Sequence, residues 1–139
     1  MARTVEEVMT RNPKTLSADD PVIEAARIMR ADDIGDVVVT EDGRVAGIVT
    51  DRDIVVRVVA DGRDPSSTPV REACTTGVEA LEPDASVDDA LGKMRDADIR
   101  RLPVVEGDRP IGIVSLGDLA VEREPESTLA DISAASPDN

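Results

Sequence analysis

Hydrophobic positions along this chain alternate between two periods. Val22, Ala25, Ala26 and Met29 recur at helical spacing, and so do Val87, Ala90, Leu91 and Met94. After each helical stretch come β-branched runs. Val37-Val38-Val39 and Val45–Val49 are joined by Glu41-Asp42-Gly43-Arg44, whose Asp-Gly pair predicts a hairpin. Leu102–Val105 and Ile111–Val114 are joined in the same way by Glu106-Gly107-Asp108-Arg109. Short extended pieces are expected around Thr15-Leu16 and Ala80-Leu81. Amphipathic turns open at Thr4–Met9 and Pro69–Cys74. Asp20 before Pro21 reads as an N-cap and first-position pair, and Ser86 as the cap of the later helix. A further helix over Asp51–Ala60 places Ile54, Val55, Val58 and Val59 on one face and stops at Gly62.

The order of elements repeats because the sequence repeats. Shifting the chain by 65 places lays Val5–Ile54 on Val70–Leu119 without a gap, with roughly 18 of 50 positions identical. Thr10 meets Thr75, Met29-Arg30 meets Met94-Arg95, Gly47-Ile48-Val49 meets Gly112-Ile113-Val114, and Asp53 meets Asp118. The expected organisation is repeat one over 4–62, a linker at 63–69, repeat two over 70–123 and a tail at 124–139, with a docked turn at Leu129–Ile132. A unit of about 50 residues cannot cover its own sheet. The fold class expected is therefore α+β: two tandem βαββα repeats packed by pseudo-twofold symmetry into one composite domain, with a cleft beside each repeat.

Composition then removes whole classes of function. The chain has 139 residues, no His, a single Cys and no Phe, Tyr or Trp. The commonest general base and metal ligand is missing, an intrachain disulfide is excluded, and no aromatic ring offers itself to a nucleic-acid base. A formal charge of −14 repels phosphate backbones and anionic lipid, so neither nucleic acid nor membrane is an expected partner. The absence of a long apolar run and of a leader-like start points to the cytoplasm. Of the 16 basic residues only Lys14 and Lys93 are Lys, a bias that fits a high-GC genome or a salt-adapted surface.

The repeated signature lies where the last strand of each repeat enters the next helix: Gly47-Ile-Val-Thr50-Asp-Arg-Asp53 and Gly112-Ile-Val-Ser115-Leu-Gly-Asp118. Thr-x-x-Asp and Ser-x-x-Asp are capping-box patterns, which alone justify those residues. The same turn has a second use. Free helix-start N–H groups and a hydroxyl suit a phosphate, and a carboxylate one turn in matches the paired hydroxyls of a ribose. Gly at the strand admits a close neighbour, either backbone or ligand. Cys74, which aligns with Met9, reads as packing, as do Met9, Met29 and Met94. The acidic pairs Asp19-Asp20, Asp32-Asp33 and Asp88-Asp89 read as helix-end charges, not as a metal site. No nucleophile accompanies any carboxylate pair, so no catalysis is expected.

These residues, together with Arg101-Leu-Pro-Val-Val105 before the second hairpin, resemble a CBS-domain pair over Thr4–Arg123, nearly the whole chain. The likeness is to stand-alone pairs of the actinobacterial type. It implies a non-catalytic regulatory module binding AMP, ADP, ATP, S-adenosylmethionine or NAD in clefts between the repeats. It also implies homodimers forming a flat disc. On that resemblance Asp53 and Asp118 take the ribose, Thr50 and Ser115 the phosphate, and Arg52, Arg100 and Arg101 the phosphate charge. Thr15, Val37 and Val38, with Ala80, Leu102 and Pro103, line the base. Asp36 opposes a phosphate where repeat two has Arg101, so the two clefts need not be equally competent. The alternative is a ligand-free dimeric scaffold that acts on a partner protein.

Overall fold

The computed structural model describes residues 3–97 and 99–123. The expected tail over 124–139, its turn at Leu129–Ile132, and Asp98 lie outside the described residues. In chain order the elements are α1 (Val5–Val8), β1 (Thr10–Arg11), β2 (Thr15–Ser17), α2 (Val22–Asp32), β3 (Asp36–Glu41), β4 (Arg44–Thr50) and α3 (Asp51–Ile54). A π-helical turn follows over Val55–Val59 and a 3-10 turn over Val70–Glu72. Then come β5 (Thr75–Thr76), α4 (Val87–Ala97), β6 (Arg101–Glu106), β7 (Arg109–Ser115) and α5 (Leu116–Arg123). This is the expected mixed α+β order, run through twice. No helix among the described residues is long and apolar enough to cross a membrane.

The chain divides into two compact units, and their limits do not follow the repeats. One unit is Lys14–Val78; the other joins the residues up to Pro13 to those from Glu79 onward. In the first unit the sheet order is β2-β3-β4-β5, with β2 parallel to β3 and the other pairs antiparallel. Asp42 and Gly43, both at positive φ, turn the β3–β4 hairpin as its Asp-Gly pair requires. One apolar cluster gathers Leu16, Val22, Ala25, Met29, Val37, Val39, Val49, Val58, Val70 and Cys74. Val38 and Ile48 are buried too but stand outside that cluster, as strand alternation dictates.

In the second unit the sheet order is β1-β7-β6, with β1 antiparallel to β7 through Thr10 opposite Ile113. The extended piece expected at Ala80-Leu81 shrinks to a single parallel bridge, Leu81 to Val104. Leu81 N–H donates to Pro103 O at 2.9 Å and Val105 N–H to Leu81 O at 2.8 Å. Helix α1 is held in this unit by Val5 N–H donating to Ala85 O at 2.8 Å, and Val5 is fully buried. Each repeat's opening segment thus completes the sheet that carries the other repeat's hairpin.

Three local expectations need correction. Asp20 does not cap α2: the cap position is Pro21, in an extended conformation, and the helix starts at Val22. The carboxylate of Asp20 instead accepts from Ser17 N–H at 3.0 Å. The first α2 amides are satisfied by the linker, Val22 N–H donating to Thr68 O at 2.8 Å and Ile23 N–H to Pro65 O at 3.0 Å. Ser86 caps as expected, its hydroxyl accepting from Asp89 N–H at 3.0 Å. Second, Asp51–Ala60 is not one α-helix. Its latter half widens to π spacing, which buries Val58 but leaves Val55 57% and Val59 62% exposed. Gly62, at positive φ, still ends the segment. Third, Val55 and Val59 accordingly leave the buried face assigned to them.

Candidate functional site

The two Thr/Ser-x-x-Asp turns are built alike. Strand register puts Asp36 opposite Thr50 in the first unit and Arg101 opposite Ser115 in the second. Thr50 Oγ1 accepts from Asp53 N–H at 3.0 Å, while Asp53 Oδ2 accepts from Thr50 N–H at 3.0 Å. The second turn repeats this at 3.0 Å and 3.3 Å between Ser115 and Asp118. The capping reading of the motif therefore holds in both repeats. It also leaves each turn a hydroxyl hydrogen and the second carboxylate oxygen, Oδ1, outside the box.

The glycine that begins each signature serves the fold. A methyl at Gly47 would overlap the carbonyl oxygen of Thr75 on β5, and one at Gly112 would overlap the side chain of Met9 beside β1. The close neighbour left open by the sequence is therefore the crossing segment, in both repeats.

The amides at the helix starts differ between the turns. In the first, Asp51 N–H donates to Gly35 O at 3.0 Å, Arg52 N–H to Asp51 Oδ1 at 2.8 Å, and Asp53 N–H to Thr50 Oγ1. All three leading amides are occupied, which corrects the expectation of free N–H groups there. In the second, Leu116 N–H donates to Arg100 O at 2.7 Å and Asp118 N–H to Ser115 Oγ. Gly117, between them, carries no such bond among the described residues. Sequence reasoning missed the carbonyls of Gly35 and Arg100, because a backbone acceptor leaves no mark in residue type; only strand register reveals it.

The remaining candidates fall into place unevenly. Thr15 is exposed on β2 opposite Val38, and Ala80 is half-buried just before the Leu81 bridge. Val38, Leu102 and Pro103 are buried. Val37 belongs to the apolar cluster, so what it offers a ligand is backbone, not side chain. Arg52 and Arg100 are exposed and Arg101 half-buried, each at its predicted turn. Behind the first turn lies Cys74, 5% exposed; burial, and next the carboxylate of Asp53, push its thiol above the usual range. Arg57 donates to Cys74 O at 3.0 Å and Ala73 O at 3.3 Å, tying the π turn to the segment that precedes β5.

Two copies of one strand-turn-helix geometry agree with the comparison of whole sequences, in which residues 5–60 and 70–123 each match the CBS domain. The chain belongs to the CBS-domain family. It is 41% identical over 120 residues to CBS domain-containing protein YhcV of Bacillus subtilis, covering 86% of this chain and 85% of YhcV. Among solved structures, Hypoxic Response Protein I with two coordinated zinc ions is similar at a TM-score of 0.78 and 31% identity, covering 85% of this chain and 97% of that one. A hexameric CBS-CP12 protein from bloom-forming cyanobacteria aligns at a TM-score of 0.78 and 27% identity, over 98% of this chain and 79% of that one. CBS-domain pairs are in general regulatory and non-catalytic. The chain has no His and one buried Cys, and no group of His, Cys, Asp or Glu among the described residues could hold a metal ion.

Proposed function

We propose that this CBS-domain pair is a sensor whose regulatory ligand contains adenosine: AMP, ADP or ATP, with S-adenosylmethionine or NAD as further candidates. The observation that carries the reading is the duplicated turn. In each repeat a hydroxyl and a carboxylate three residues apart are locked by reciprocal hydrogen bonds, with Oδ1 and the hydroxyl hydrogen turned to no partner in the box. A carboxylate oxygen accepts from a ribose hydroxyl, and a hydroxyl donates to a phosphate. Asp53 and Asp118 are assigned the ribose, and the capping hydroxyls of Thr50 and Ser115 the ligand's phosphate end, in whichever of the two turns the local charge admits it. Thr15 and Val38, with Ala80, Leu102 and Pro103, are assigned to the adenine, held by aliphatic contact and backbone hydrogen bonds. The sequence limits 4–62 and 70–123 are proposed as the two repeats, and a homodimer as the working form.

The test is thermal unfolding, followed by calorimetry, across a panel of those five compounds. A ligand at about 100 times its Kd adds about 2.7 kcal/mol, which for a chain of this size raises Tm by roughly 5–10 °C. The expected result is a shift for at least one compound, lost in the Asp53→Ala/Asp118→Ala double variant. A flat panel at millimolar ligand overturns the reading. The second reading, a ligand-free dimeric scaffold for a partner protein, is favoured by one feature: Val55, Val56 and Val59 are 57%, 48% and 62% exposed within five residues. A flat panel would select it.

A further inference from the structure

Resting on the adenosine reading above, we propose that the two turns are selective by charge: the second repeat's turn accepts phosphate and the first repeat's turn rejects it. Strand register sets up the contrast. The position opposite the capping hydroxyl is Asp36 in the first repeat and Arg101 in the second. The surrounding charges reinforce it. Within segments 35–36 and 51–53, Asp36, Asp51 and Asp53 stand against the guanidinium of Arg52, with that of Arg57 behind the turn on Cys74 O; within 100–101 and 116–118, Arg100 and Arg101 stand against the carboxylate of Asp118. Equivalent places in the two repeats thus differ by three charges.

The backbone points the same way. The leading amides of the first turn are fully used, one by Gly35 O, one by the side chain of Asp51 and one by Thr50 Oγ1. Asp51 sits on the helix start like an internal anion, filling the place a phosphate would take. The second turn has Leu116 and Gly117 at those positions, so no side chain competes, and Gly117 N–H has no hydrogen bond among the described residues. A buried amide gains most from an anionic acceptor, because it has no water to lose. Asp36 and Arg101 each already engage another group. Reversing either charge also disturbs that contact, so the charge-keeping Arg101→Lys and the neutral Asp36→Asn serve as its controls.

The experiment is isothermal titration of the full chain with AMP and, separately, with adenosine, which lacks the phosphate. One AMP per chain is expected, lost in Asp118→Ala. Arg101→Glu should weaken AMP by about tenfold or more, the loss of a charge-assisted contact turned to repulsion, while adenosine changes far less. Arg101→Lys should restore most of the AMP preference, since it keeps the charge. Asp36→Arg should add a second AMP per chain; Asp36→Asn should do so more weakly, and circular dichroism melts confirm that each variant is folded. Two equal AMP sites in the unaltered chain, or loss of AMP in Asp53→Ala but not in Asp118→Ala, overturn the inference alone. Failure of both AMP and adenosine to bind, with the other four compounds equally silent, overturns the adenosine reading and this inference with it.

Discussion

Gly47 and Gly112 sit at equivalent strand positions but face different neighbours, and the difference is measurable. Behind Gly47 stands a backbone carbonyl, that of Thr75, which cannot move without breaking the β4–β5 ladder. Behind Gly112 stands the flexible side chain of Met9. Gly47→Ala is expected to cost roughly 1–3 kcal/mol in urea unfolding and Gly112→Ala clearly less; equal or reversed costs would contradict the assignment. Cys74 gives a pH test at the same scale. Its ordinary value is 9.0 and burial raises it in the folded chain. The unfolded chain therefore loses this proton first, so stability is full below about pH 9 and falls as pH rises past it. Cys74→Ala should flatten that decline. In the folded protein, alkylation of the thiol at pH 8 should be slow and governed by unfolding.

Among the elements, the caps and the π turn make the clearest predictions. Thr50→Ala and Ser115→Ala should each cost about 1 kcal/mol, read from the shift in urea midpoint at unchanged slope. Val58→Ala should cost roughly 2 kcal/mol, since Val58 is fully buried, while Val59→Ala should stay within about 0.5 kcal/mol. Equal costs at 58 and 59 would restore the regular helix that the sequence implies. That helix shows where sequence reading stops. Ile54, Val55, Val58 and Val59 have impeccable α spacing, and nothing among them breaks a helix. The widened turn comes with Arg57 reaching the carbonyls of Ala73 and Cys74, acceptors sixteen and seventeen residues away that periodicity does not register. Asp20 failed as a cap for a similar reason: the linker carbonyls of Pro65 and Thr68 had taken its role. By contrast, the hairpins, the Ser86 cap and both Thr/Ser–Asp boxes were legible, because each is closed within a few residues.

Across the molecule, what the sequence hid is the exchange of opening segments. Repeat comparison finds Thr4–Met9 and Pro69–Cys74 equivalent, but equivalence does not say which sheet each one joins. Only the ladders do: β1 on β7, and β5 on β4. Removing residues 1–13 should therefore injure the unit far from it in sequence. Amide exchange is expected to speed up by an order of magnitude or more at Ile113, whose backbone faces β1, while the β3–β4 hairpin keeps its protection. Equal loss in both would refute the division into units. The exchange also sets a timetable for synthesis. The unit Lys14–Val78 is continuous and has all its strands as soon as it leaves the ribosome. The edge at Thr10–Arg11 must wait about a hundred residues for Ile113, some 5–20 s at ordinary elongation rates. During that interval an earlier chain on the same message, whose β7 has emerged before its own β1 has paired with it, is a competing template. Strand-swapped dimers between neighbouring nascent chains are the expected by-product.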